Sequence, residues 1–160
     1  MAKYTTAEDP NDPVGGAAAL YLDYAEAVDE GRFDDFGALW CADGSSSPPS
    51  GAEGTVVGPA AVTSWLRNGM AEFVASQHLV SHIRVSPAEP DGVPITGYVY
   101  AMHQRADGSV VEVWGRYQSR MRFDDSRWRF ASHTTLLAGE RPFGSVIKPG
   151  WPRMRALTEG

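Results

Sequence analysis

The chain has a single cysteine, Cys41, among its 160 residues. An intrachain disulfide and a multi-cysteine metal site are thereby excluded. Basic residues are scarce: Lys and Arg total 14 against 20 Asp and Glu, giving a formal net charge of −6 and a pI near 5.1. This balance argues against nucleic acid or an anionic membrane as a partner. No apolar run approaches the roughly 20 residues of a membrane-spanning helix. The polar stretch 1–10 also lacks the apolar core of a secretory signal. These absences lead us to expect a cytoplasmic location. There is no glycine-rich phosphate loop and no internal repeat. Gly44-Ser45-Ser46-Ser47 lacks the strand-to-helix setting of a nucleophilic serine.

What remains is an ordinary globular composition, 42% hydrophobic, long enough for one domain with a real core. Residues 1–13 read as a flexible leader ending in Asp12-Pro13, a helix cap and first-turn proline. Ala17, Leu20, Tyr21, Tyr24, Ala25 and Val28 recur at helical spacing, and Gly31 supplies the stop. A short second helix carries Phe33, Phe36 and Trp40 inward, with Asp34 and Asp35 outward. Residues 43–55 read as a loop or a poor edge strand. Gly58-Pro59 opens a third helix with an apolar stripe through Val62, Trp65, Leu66, Met70 and Phe73. Strands are expected over 77–86, 95–105, 110–123 and 127–137. A tail over 139–160, with Phe143, Ile147 and Trp151, is expected to pack on the body or a neighbouring subunit. Helices first and antiparallel strands after them imply an α+β fold, three helices on one face of a curved sheet enclosing a pocket.

The chemistry-bearing residues follow from this frame. On a wheel of about 100° per residue, Asp29 falls between Ala25 and Leu22, in the apolar sector, while Asp23, Glu26 and Glu30 group on the solvated side. A carboxylate among apolar neighbours is costly unless paired. A histidine would pair with it and become a useful base. His78, Val80, His82 and Arg84 share one strand face; Leu79, Ile83 and Val85 take the other and read as core. His103 ends its strand just before Asp107-Gly108. A two-residue loop there would place it beside Glu112. A three-residue loop, Ala106-Asp107-Gly108, pairs Arg105 with Ser109 and places it beside Val111, on the face of Val113, Gly115 and Tyr117. Ala-Asp-Gly suits the longer loop, with glycine in the left-handed third position. Val113, Gly115 and Tyr117, with Trp65 from the third helix, then form the expected substrate-binding wall. His133 alternates with Ala131 and Thr135, opposite Trp128 and Phe130, and falls at the pocket rim or in a strand hydrogen bond. His78 and His82 are roughly 13 Å apart along a strand and cannot chelate one ion together. Asp29, His78 and His103 have no metal-specific spacing, and no metal or other cofactor is expected.

The segments Leu20 to Gly31, Gly54-Thr55-Val56-Val57-Gly58-Pro59, Ser76-Gln77-His78-Leu79 and Gly115-Arg116-Tyr117, with Arg127-Trp128-Arg129-Phe130, resemble the SnoaL-like branch of the NTF2-like superfamily. The resemblance covers roughly residues 14–138 and implies a cone of curved sheet closed by helices around a deep pocket. Within the superfamily the chain is most similar to the scytalone dehydratases, the bile-acid dehydratases and the hexachlorocyclohexane dehydrochlorinases. In these an acid ends the first helix and a histidine starts a strand, as Asp29 and His78 do here. His103 resembles the second histidine of the scytalone enzymes, and Tyr24 falls where the bile-acid enzymes carry a catalytic tyrosine. On an ideal helix Tyr24 and Asp29 lie about 140° apart, so they share a site only if the helix end tightens or the tyrosine reaches across. The groups that choose a substrate differ: the tyrosines, serine, asparagine and arginine of the relatives correspond to Val28, the Ser/Pro/Gly loop, Gly115, Tyr117 and Ala131. The resemblance therefore implies a reaction type, removal of water from a small hydrophobic substrate by Asp29, His78, His103 and Tyr24. A polyketide or terpenoid cyclase or isomerase with the same residues, and a non-catalytic ligand-binding or oxygenase β-subunit-like module, are the alternatives. A homo-oligomer, trimer or dimer, is implied, with Trp114 and several arginines on the outer sheet face.

Overall fold

Helix formation begins where the sequence supplies a cap and a proline. Asp12 accepts the Gly15 amide at 2.9 Å and Pro13 occupies the first turn of α1 (Pro13–Asp29). Gly31, at φ +65°, ends the helical path, as only a residue without a Cβ does comfortably. α2 (Phe33–Ala38) follows, with Asp34 and Asp35 in its first turn, where the helix dipole favours them. The computed structural model describes residues 9–47 and 54–142 of the chain. Its remaining elements are β1 (Trp40–Ser47), β2 (Val56–Val57), α3 (Pro59–Met70), β3 (Phe73–Val85), β4 (Val93–Arg105), β5 (Val110–Asp124) and β6 (Arg127–Arg141).

The strands form one six-stranded sheet in the order β2-β1-β6-β5-β4-β3. α1 packs across β3, and α3 against α2 and β1. The result is the expected α+β cone, with the core between helices and sheet. Tyr21, Phe36, Trp40 and Phe130 are each almost wholly buried, and each contributes roughly 2–3 kcal/mol by leaving water. The Arg105–Ser109 turn is the three-residue one: Arg105 N donates to Ser109 O, Gly108 has φ +84°, and His103 pairs with Val111.

Several expectations are corrected. The sheet is mixed, because β1 runs parallel to β6. Trp40 opens β1 and is not part of the second helix, so much of the Ser/Gly-rich stretch is a paired strand. That strand is short and polar, and its burial comes from lying between β2 and β6. Leu79 is not core; it is 57% exposed on the outer face. A bulge between Ser81 and Arg84, with His82 at φ 52°, shifts the alternation. His78 and Val80 therefore face inward before the bulge, and Ile83 and Val85 pack against the core after it. His82 lies outside the pocket, its ring 5.2 Å from that of Tyr98. A second bulge, at Ala131, brings His133 to the same face as Phe130. At the ends, the Trp128 indole donates to Asp9 O at 3.1 Å, tying residues 9–12 to the body, and β6 continues through Arg141. Residues 1–8 and the tail positions Phe143, Ile147 and Trp151 lie outside the described residues.

β6 runs close against β5 at Gly115. A Cβ there would sit 2.0 Å from the Leu136 carbonyl oxygen, a backbone atom that cannot rotate away. Gly69 on α3 faces open space. Gly115→Ala is therefore expected to cost about 1–3 kcal/mol, and Gly69→Ala to be neutral or to stabilise by up to about 1 kcal/mol. Urea melts of the two variants measure both.

Candidate active site

Three elements meet at the last turn of α1. Asp29, the final helical residue, turns toward the first half of β3, and its side chain is 21% exposed. β3 carries Ser76 and His78 at a two-residue spacing that puts both on one face. β4 runs antiparallel beside it and presents His103 opposite Ser76. The His78 ring nitrogen Nδ1 lies 2.7 Å from Asp29 Oδ1, and the His78 backbone N–H donates to Oδ2 at 2.8 Å. Ser76 Oγ donates to Asp29 Oδ1 at 2.9 Å and lies 3.0 Å from His103 Nδ1. The two imidazole centroids are 5.2 Å apart, and Phe73 closes over His103 at 4.9 Å.

Burial alone would push the Asp29 carboxyl up. The hydrogen bonds from the His78 ring, the His78 backbone amide and the Ser76 hydroxyl outweigh it and hold the group below the usual carboxylate range. His103 moves the other way: burial first, then the neighbouring His78, lowers it from 6.5 to about 4. It is a neutral ring at neutral pH. Among the described residues neither Nε2 has a hydrogen-bond partner.

Behind the network lies a floor of aromatic and polar rings. The Tyr24 ring sits 6.4 Å from His78, 5.4 Å from Tyr117 and 5.1 Å from His133. Tyr24 thus reaches across from its own face of α1, and Asp29 turns at the helix end to meet the same strand. The Tyr24 and Tyr117 rings meet edge to face, and burial pushes Tyr24 up to about 12 and raises Tyr117 well above the ordinary phenol value. Both are held as proton-bearing phenols. His133 is 3% exposed, its Nδ1 lies 2.9 Å from Ser119 Oγ, and burial lowers it to about 3. It is a buried structural ring and not a rim residue. Val113 is half-buried opposite Ala101, and Gly115 is the backbone contact described above. Trp65 packs against the core from α3; among the described residues it makes no ring contact with either histidine. A cleft of about 380 Å³, lined in part by Asp29, Phe33, Met70, Phe73 and Ser76, opens beside the carboxylate. Among the described residues no cluster of three His, Cys, Asp or Glu side chains is arranged to hold a metal.

Ser76 escapes a reading of the sequence. A strand serine is unremarkable alone; the available signal is its place two residues before His78, on the same face.

Such a cluster, a buried anion, two neutral-capable imidazoles and two phenols, can move a proton to and from carbon or oxygen. No curated protein matches the chain by sequence. Among solved structures, the fold is similar to a provisionally assigned scytalone dehydratase from Novosphingobium aromaticivorans DSM 12444, with TM-score 0.73 and 16% identity over 85% of this chain and 92% of that one. A hexachlorocyclohexane dehydrochlorinase, LinA-type3 from Novosphingobium barchaimii LL02, gives TM-score 0.68 and 18% identity over 80% and 88%. A provisionally assigned aromatic ring hydroxylase from Novosphingobium aromaticivorans gives TM-score 0.68 and 26% identity over 75% and 85%. Residues 17–134 match the family model of the SnoaL-like domain, and the chain belongs to that family.

Proposed function

We propose that the protein is a cofactor-independent dehydratase acting on a small hydrophobic or polycyclic hydroxy-carbonyl compound. The observation that carries this reading is the Asp29–His78 pair, 2.7 Å apart with the His78 side chain only 8% exposed. Asp29 accepts the Nδ1–H, so Nε2 bears the lone pair, and the carboxylate stabilises the imidazolium that forms. His78 Nε2 takes a proton from a carbon beside the carbonyl. Negative charge gathers on the carbonyl oxygen, and a Tyr24 or Tyr117 hydroxyl is the donor of the site that can stabilise it. The C–O bond one carbon further on then breaks. Hydroxyl leaves with a proton as water and an alkene or aromatised ring remains. No net oxidation occurs, so the step needs no redox partner.

Asp29→Asn and His78→Ala are each expected to lower turnover about 10²–10⁴-fold, while circular dichroism still shows a folded protein at the assay temperature. The measurement is conjugated-product absorbance and loss of water by mass spectrometry across a panel of hydroxy-carbonyl compounds. A product isomeric with its substrate would instead assign a cyclase or isomerase. The likeness to the β subunit of a provisionally assigned aromatic-ring-hydroxylating dioxygenase, with TM-score 0.64, supports a second reading, a non-catalytic oxygenase-associated module. Absence of turnover across the whole panel would select it.

The neutral imidazoles make a second, substrate-free prediction. In the unfolded chain both rings bind protons near 6.5, but in the folded protein only near 4 for His103 and 3 for His133. Between those values the unfolded state holds more protons, so stability falls as pH drops from about 6.5 toward 4, by on the order of a few kcal/mol. The Asp29 contribution is lost only lower, as pH falls through its depressed value. Melting temperature against pH is the measurement, and His103→Asn should flatten part of the slope.

A further inference from the structure

The Ser76 hydroxyl has one proton and several claimants. Asp29 Oδ1 is 2.9 Å away, His103 Nδ1 3.0 Å and His78 Nδ1 3.4 Å. An ionised carboxylate only accepts hydrogen bonds. Two oxygens at 2.9 Å, one of them on an anion, need a hydrogen between them, and only the serine has one to give. Its O–H therefore points to Asp29 Oδ1. Toward His103 the same oxygen is left as an acceptor, so His103 Nδ1 must carry the hydrogen. The His78 Nδ1–H is already committed to Asp29.

We propose that Ser76 is a positioning residue that ties His103 to the Asp29 carboxylate, so that one anion holds both imidazoles with Nδ1–H inward and Nε2 unprotonated. The tautomer of each ring is set by the partner of its other nitrogen. For His78 that partner is the carboxylate itself; for His103 it is the carboxylate through one hydroxyl. With a lone pair on Nε2, His103 accepts a hydrogen bond from the substrate hydroxyl and has no proton there to give. The proton that leaves carbon for His78 Nε2 returns from that nitrogen to the departing oxygen. Water leaves, the alkene forms, and both rings end as they began.

The role in turnover rests on the proposed dehydratase function; the tautomer does not. Its test needs no substrate, so its failure is distinct from failure of that reading. The full chain is labelled with ¹⁵N-histidine and its imidazoles are followed near neutral pH by two-bond ¹H–¹⁵N correlation, with His103→Gln assigning the His103 signals. His103 and His78 are both expected in the Nδ1–H form. In Ser76→Ala, His103 should move to the Nε2–H form that neutral imidazoles favour in water, while His78 stays as it was. Ser76→Thr, which keeps the hydroxyl on a side chain suited to a strand, should restore the wild-type pattern. An Nε2–H form of His103 in the wild type overturns the proposal, and this spectrum alone decides should the alanine variant not fold. A His103 tautomer unchanged by Ser76→Ala, or not restored by Ser76→Thr, overturns the role of the hydroxyl.

Discussion

The structure turns on one carboxylate that accepts three hydrogen bonds from a single strand. Asp29 takes the Ser76 hydroxyl, the His78 ring and the His78 backbone amide. β3 is an edge strand of the sheet, and an edge leaves backbone groups without a ladder partner. The end of α1 covers that edge at the position where the ring must be held. The same contact therefore satisfies the backbone, docks the helix and orients the imidazole. Moving a carboxylate out of water costs several kcal/mol. Charge-assisted hydrogen bonds of this number and length offset that cost and keep the group ionised.

The layer beneath gives that charge its leverage. Tyr24, Tyr117 and His133 are each less than a tenth exposed and lie ring to ring. A region with little water screens charge poorly, so a carboxylate at its edge acts strongly on its neighbours. The same dryness holds the phenols protonated and His133 neutral. Groups that titrate easily in water are locked into one state each, and among the described residues only the two imidazoles beside Asp29 keep an Nε2 atom without a hydrogen-bond partner at the edge of this layer.

Much of this was legible in the residues, and what was not has a common cause. Apolar spacing placed α1 and α3. The Ala106-Asp107-Gly108 turn set the β4–β5 register, and with it the face of His103, Val113 and Tyr117. The misses fall at bulges. Strict alternation sends Leu79 inward and sets His133 against Phe130; the extra residues near His82 and at Ala131 reverse both. A bulge is one unpaired residue stabilised by the neighbouring strand, and a single strand read alone carries no trace of its neighbour. β1 was hidden for the same reason: its Ser and Gly residues look like a loop until β6 lies beside them. Ser76 became informative only when β4 brought His103 opposite it.

Counting charges narrows what the site can do. There is one anion for two rings 5.2 Å apart. A proton on His103 is disfavoured by burial and by the neighbouring His78 and favoured by Asp29, and the first two prevail. One added proton balances the single carboxylate that the two rings share. An elimination that moves one proton off carbon and one onto oxygen fits such a site if the proton taken is the proton returned. Among the described residues no other carboxylate contacts either ring. The second imidazole contributes direction instead, a fixed lone pair for a hydroxyl that must face the first.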